Sequence, residues 1–431
     1  MKTYDVIVVG AGPAGITAAL RMAQKGLSVL LLERGHLPGA KNMFGGMLPH
    51  GPILEELIPH FRQEAPLERH VVKRTLTILS GKASTSLVFE SKNFDRPPYN
   101  AYTLYRPIFD RWYAQRAKEA GADLFTDCLV TELLTKNGST TGVRLGKDKG
   151  EIEAPVTIVC DGVLSLLARK AGFCAPPKPS EMGLGIKALF RLDEKAINER
   201  FGLVRDQGCS VEFIGCSQGI PGGGFIYTQM ETLSAGLVLH LDSLKKSGLA
   251  SCDLFERFLA CDAVQKLLKG ARLVEYSAHL IYEGGYSHIP PLFSGGLLLA
   301  GDSAGLCYTN GLNQEGMNLA IASGFHAADT ALDAFEKGDF SAGQLSLYRG
   351  RLKDSFVLRD MKTYRKSAAF MQNERLFTTY PMLIGMILEQ VFRSDGNPRK
   401  RIARIGWEAI KGSVDADDLI ADLIKGGRSL L

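Results

Sequence analysis

The N-terminal segment Gly10-Ala11-Gly12-Pro13-Ala14-Gly15 constrains the fold of this chain more than any other. Tyr4 to Val9, a short β-branched run, reads as a buried parallel strand that ends at the first glycine. An Ala/Leu pattern then predicts a helix to about Lys25. Leu27 to Leu32 reads as a second apolar strand, with Glu33 at its end. Each position has a physical role. Gly10 permits the tight turn, Gly12 lets the backbone approach a pyrophosphate, and Gly15 lets the helix pack against the strand. Pro13 and Ala14 open the helix, whose free N–H groups and partial positive charge attract phosphate. Glu33 can accept hydrogen bonds from a ribose diol, with Arg34 beside it. A glycine-rich turn alone is weak evidence. Placed between strand and helix, with a second strand and an acidic residue following, it specifies a dinucleotide site.

That fingerprint serves NAD and FAD equally, and two later segments separate them. Val156 to Val159 reads as a strand running through Cys160 into Asp161-Gly162, followed by a helix that carries Ser165 and Arg169. Leu297 to Leu299 reads as another buried strand, running through Ala300 into Gly301-Asp302. Asp302 at a strand's carboxyl end would face the ligand crevice and bind a ribityl hydroxyl. Asn310 to Gly316, with Gly311 and Asn313 as candidate cofactor contacts, opens an Ala-rich helix from Met317 to about Phe335. Its N-terminus would stabilise negative charge at the pyrimidine edge of a reduced flavin. In this order the features resemble FAD-binding proteins of the p-hydroxybenzoate hydroxylase-like fold over roughly residues 1–330, which favours FAD over NAD.

Other chemistries are disfavoured. Pro221-Gly222-Gly223-Gly224 lacks the spacing and context of a second dinucleotide site. The eight cysteines form no C-x-x-C or C-x₄-C pair and no zinc or iron–sulfur spacing, so buried free thiols and no bound metal are expected. A net charge of +5 is too mild for a nucleic-acid protein but suits an anionic surface. No stretch reaches the ~18 uninterrupted apolar residues of a membrane-crossing helix.

The expected class is α/β, with a Rossmann-like FAD-binding domain, an inserted antiparallel-sheet substrate domain and a helical C-terminal region. The FAD-binding domain is assigned to 1–70, 101–175 and 291–330, and the substrate domain to 71–100 and 176–290. Residues 331–431 form the helical region. Within this division Arg106 to Ala120 is a helix, Asp123 to Leu133 a strand, and Leu376 to Phe392 an amphipathic Met-rich helix for the core or for docking. Pro398 to Arg404 is a basic run containing Arg399, Lys400, Arg401 and Arg404.

Three segments carry a more specific resemblance: Pro38-Gly39-Ala40-Lys41-Asn42-Met43-Phe44-Gly45-Gly46-Met47-Leu48, Leu54 to Pro59 with Ala65 to Arg69, and Asp161 to Arg169. With Gly222 to Thr228 and Gly301 to Gly305, they resemble the FixC family of electron-transfer-flavoprotein:quinone oxidoreductases over nearly the whole chain. The resemblance implies electrons arriving from an electron transfer flavoprotein of α and β subunits. A small ferredoxin-like [4Fe–4S] subunit takes part, membrane quinone is the acceptor, and the setting is an electron-bifurcation complex of the FixABCX type. It also implies a cytoplasmic protein peripheral on the inner membrane. No cysteine follows Cys307, so the four-cysteine cluster domain of mitochondrial-type relatives is missing from this sequence. Gly45 and Gly46 would pass close to the flavin ring, Arg106 would contact the cofactor, and the backbone near Val130 would meet adenine. Gly222 to Tyr227 would line the roof near the quinone.

The flavin performs the redox step, so the expected site residues bind the cofactor and include no catalytic side chain. The sequence does not identify a proton donor; Tyr227 and His240 are the nearest candidates. A geranylgeranyl-reductase-like flavin enzyme of isoprenoid chains, an NAD(P)H-dependent aromatic hydroxylase and an electron-relaying FAD subunit are the alternatives.

Overall fold

The computed structural model describes residues 3–40, 46–146 and 149–430. Strands Asp123–Phe125, Val29–Leu32, Val6–Val9, Val156–Val159 and Leu297–Leu299 lie in that order as parallel neighbours, with Phe293–Ser294 antiparallel at the edge. The near-continuous apolar sequence of Val29–Leu32, Val6–Val9, Val156–Val159 and Leu297–Leu299 follows from their burial on both faces. Helix Pro13–Gln24 packs against Arg106–Glu119 and against the long helix Met317–Lys337. The last contact depends on Gly324, where an added Cβ would come within 2.1 Å of the Ala14 carbonyl oxygen. A small sheet of Val130–Lys136, Ser139–Leu145 and Glu151–Glu153 covers the Val156–Val159 strand.

A second sheet has nine strands. Its order is Arg272–Tyr282, Met182–Arg191, Thr232–His240, Gly222–Thr228, Gln207–Ile214, Leu67–Ser80, Ala101–Leu104 and Gly46–Pro49, with Ala83–Glu90 paired to Leu67–Ser80. Neighbours are antiparallel except for Gln207–Ile214 against Leu67–Ser80. On one face, Leu254, Phe255 and Phe258 of helix Ser251–Leu259 close a separate apolar core with Ile186, Phe213 and Ile226. Phe258 lies over Gly224, where a Cβ would meet its ring at 2.4 Å. The alternate residues Gly223, Phe225 and Tyr227 therefore face the other way.

The segment expected as one strand over Asp123 to Leu133 is two. Asp123–Phe125 belongs to the parallel sheet and Val130–Lys136 to the small one. Asp127, with φ of 51°, turns the chain between them. The Met-rich helix starts at Thr379, after a 3₁₀ turn at Glu374–Leu376. It buries Pro381, Leu383 and Gly385 and exposes Met382, Met386 and Phe392. Helix Ala416–Leu430 is tied back by Asp422, which accepts from Arg375 Nε at 2.7 Å and from Tyr380 Oη at 2.6 Å. All eight cysteines are free; Cys128, Cys209, Cys216 and Cys307 are buried, whereas Cys252 is exposed.

Candidate functional site

A cavity of about 690 Å³ lies between the carboxyl ends of the parallel strands and the open face of the nine-stranded sheet. That volume is in the range of ordinary ligand and cofactor clefts, and the position is where α/β sheets bind ligands. Gly10, Gly12, Pro13 and Ala14 form part of its wall. Gly10 adopts φ of 102°, and a Cβ there would lie 2.3 Å from the Cys160 carbonyl oxygen. Gly15 sits beneath the turn, its Cβ position 2.0 Å from the Gly10 oxygen, so it shapes the wall without lining it. A Cβ on Gly12 or on Gly162 would meet nothing within 4 Å and would project into the cradle.

Glu33 is held in place before any ligand arrives. One carboxylate oxygen accepts from Ala11 N at 2.9 Å and the other from Gly35 N at 2.6 Å. Arg34 is beside it on the wall, and Cys128, Leu129 and Val130 form the same end of the cavity. Asp161 accepts from Leu167 N at 3.0 Å through one oxygen. Its other oxygen is buried without a partner among the described residues. Burial pushes the Asp161 carboxyl up, opposed by its backbone hydrogen bonds.

The middle of the cavity is more strongly charged. Arg106 forks onto the fully buried Asp110 at 3.0 and 2.9 Å, fixing its guanidinium at the wall. Gly46 lies between Arg106 and Met317, whose side chains are 3.8 and 3.5 Å from its Cβ position. Asp302, next to Gly301, is pushed up by burial against the pull of Arg106 and His279. Gly316, Met317 and Asn318 bring the N-terminus of the long helix to the wall, and no side chain of the described residues caps it. Its amide dipoles thus aim into the cavity. Gly311 lines the same rim, and Asn313 accepts from Arg74 Nη1 at 2.6 Å. Every sequence-expected site residue that is described lies on or directly under this wall; Gly45 falls outside the described residues.

The roof supplies polar groups that sequence reasoning did not single out: Lys187, Glu212, His279 and Glu283. Lys187 and Glu212 each carried a sequence signal, as the one charge in an otherwise uncharged run, Gly183 to Phe190 and Gln207 to Ile214. Glu212 and Glu283 are both pushed up by burial, Glu283 to about 7.

Known proteins fix the family. A family model described as FAD dependent oxidoreductase matches residues 5–173, and one described as the ETF-QO/FixC family C-terminal domain matches 367–431. The probable electron transfer flavoprotein-quinone oxidoreductase YdiS of Escherichia coli K12 is 38% identical over 428 residues, covering 99% of both chains. The chain belongs to the ETF-QO/FixC family. Protein FixC of Azorhizobium caulinodans is 39% identical over 95% of both chains, and that of Azotobacter vinelandii 37% over 100% of this chain and 99% of that one. Among solved structures, a geranylgeranyl bacteriochlorophyll reductase-like protein from Thermoplasma acidophilum superposes with a TM-score of 0.75 at 21% identity, covering 99% of this chain and 100% of that one. The myxobacterial halogenase CndH gives 0.66 at 18% identity, over 97% and 99%. These two share the fold.

This FixC-family chain is an FAD-dependent oxidoreductase. Its wall suits that cofactor: an open glycine cradle at a helix N-terminus, an oriented carboxylate at Glu33, and a buried unpartnered oxygen on Asp161.

Proposed function

We propose that the chain takes electrons from an electron transfer flavoprotein, together with a ferredoxin-like [4Fe–4S] subunit, and passes them to a membrane quinone. FAD, when bound, accepts and releases electrons singly or in pairs. Gly10, Gly12, Pro13 and Ala14 would hold its pyrophosphate at the first helix, with Gly15 shaping the turn beneath them, Glu33 and Arg34 would hold the adenosine ribose, and Val130 would meet the adenine. Asp161, Gly162, Gly301 and Asp302 bind the central hydroxyls and phosphates. Gly46, Arg106, Gly311, Asn313 and the N-terminus of Met317–Lys337 surround the ring, where a positive helix end favours added negative charge.

The observation that carries the acceptor reading is the cavity's second wall. Ile214, Phe225, Tyr227, Val238 and Ile281 face the cofactor wall across one continuous space, giving a flat apolar head group a place against the roof. The C-terminal region completes that space with Ala368, Met371 and Phe377. Immediately beyond stands the helix that exposes Met382, Met386 and Phe392, packed beside a helix that exposes Trp407. Arg399, Lys400, Arg401 and Arg404 are exposed next to these residues. Lys400 and Arg404 pair with Glu408, and Arg399 and Arg401 add positive charge to the segment between these helices. Exposed apolar groups and a net positive segment together suit an anionic membrane surface as the source of quinone. No helix among the described residues is long and apolar enough to cross a membrane.

The reading is tested by mixing pre-reduced holoenzyme anaerobically with a short-chain quinone. Rapid return of the oxidised flavin spectrum is expected. A spectrum that stays bleached would contradict the acceptor assignment.

A further inference from the structure

We propose that Lys187 is the proton donor to the acceptor's oxygen, a role that rests on the quinone reading above. Lys187 sits in the middle of strand Met182–Arg191, is only 6% exposed, and lines the cavity. One cross-strand row supplies its aromatic neighbours. Lys187 pairs with Gly236, Gly236 with Phe225, and Phe225 with Glu212. A side chain at Gly236 would displace the Phe225 ring, because its Cβ would lie 2.1 Å from that ring. The ring instead lies across the glycine toward the lysine. Phe225 and Tyr227 stack at 4.7 Å, and the Lys187 ammonium lies 5.5 and 5.7 Å from their ring centres. A quinone head group stacked on this aromatic pair would present a carbonyl oxygen to Nζ.

The charges around Lys187 make it a donor rather than a permanent cation. Arg106 faces it from helix Arg106–Glu119, His279 from the neighbouring strand, and Tyr227 from Gly222–Thr228. The paired strand Thr232–His240 presents Gly236. Glu212 stands at the far end of the row. Glu283 is six positions beyond Ser277, the partner of Lys187, and so about 20 Å along the next strand. Burial, and then Arg106, push the amine down to about 7. The two sequence candidates are less suited. Burial pushes the Tyr227 hydroxyl far up. Both ring nitrogens of His240 are engaged, with Ser243 Oγ at 3.0 Å and the Ser180 carbonyl at 3.3 Å.

The step balances. Reduced FAD, when bound, would supply the quinone with two electrons and one proton. The quinone's remaining oxyanion takes the second proton from Lys187, so an N–H bond breaks and an O–H bond forms. The neutral amine then regains a proton from water. Below about pH 7 the lysine holds the proton it must give, and above that the donor is lost.

The test uses FAD-loaded wild type, Lys187→Met and Lys187→Arg. The rate of reoxidation by a short-chain quinone is followed from pH 6 to 9, alongside flavin content and midpoint potential. Both variants should keep FAD, and Lys187→Arg, which keeps the positive charge, should keep its potential, but both should reoxidise at least about 100-fold more slowly at pH 6. The fall in wild-type rate above pH 7 should be absent in both. A second readout is independent of turnover. A depressed folded-state value means that the unfolded chain binds more protons between pH 7 and 10, so the melting temperature of wild type minus Lys187→Met should rise across that window. A Lys187→Met rate within threefold of wild type, or a rate restored by Lys187→Arg, would overturn the proposal. A wild-type enzyme that quinone does not reoxidise would instead refute the quinone reading, and with it the acceptor named for the lysine.

Discussion

Replacing Glu33 with Ala should release FAD from an otherwise folded protein. The carboxylate has about four acceptor positions, and Ala11 N and Gly35 N occupy one on each oxygen. One acceptor position per oxygen is left, matching the two hydroxyls of a ribose. A charge-assisted hydrogen bond contributes roughly 1.5–3 kcal/mol, and a half-buried group belongs at the lower end. Two such bonds give about 3 kcal/mol, or roughly 150-fold in the dissociation constant. Glu33→Gln keeps one acceptor oxygen and should fall between wild type and Glu33→Ala. The assay is flavin fluorescence titration of apoprotein, with flavin content after gel filtration as the check. The melting temperature of the apoprotein isolates any damage from freeing the Ala11 and Gly35 N–H groups. A dissociation constant within threefold of wild type for Glu33→Ala would refute the ribose assignment.

Other perturbations test other parts of the account. Gly10→Ala places a methyl 2.3 Å from the Cys160 carbonyl at φ of 102°, so a loss of about 3 kcal/mol and a lower melting temperature are expected by calorimetry. Arg375 and Tyr380 hold the Asp422 carboxyl well below its ordinary value. The stability this gives to docking of the last helix is therefore present above about pH 4 and lost as pH falls through the folded-state value. Asp422→Ala should expose Ala416–Leu430 to proteolysis at pH 7, whereas wild type should resist. Phe392→Asp with Trp407→Asp should reduce sedimentation with anionic vesicles at least tenfold, leaving flavin content unchanged.

The dinucleotide unit was legible because its requirements are local. A turn at Gly10, a close approach at Gly15 and an acidic strand end at Glu33 are set within one stretch of chain. Asp161 and Asp302 were legible for a related reason, since each ends an apolar run that can only be a central parallel strand. The roof was harder to read. Which side of Met182–Arg191 faces the cavity depends on its register with Thr232–His240 and Arg272–Tyr282, partners many residues away. The resemblance placed Gly222 to Tyr227 on the roof, but nothing in the sequence showed that Phe225 and Tyr227 lie beside Lys187. The break between Phe125 and Val130 was missed because both sides have strand-forming residues, and only the left-handed Asp127 marks the change of sheet.

The source of the electrons distinguishes an acceptor of flavoprotein electrons from a nicotinamide-driven enzyme. Purified holoenzyme would be titrated anaerobically with NAD(P)H and its visible spectrum followed, first alone and then with electron transfer flavoprotein and the ferredoxin-like subunit. No bleaching is expected with nicotinamide alone, and full bleaching once the partners are present. Bleaching by nicotinamide alone would contradict the acceptor reading and favour an NAD(P)H-dependent hydroxylase.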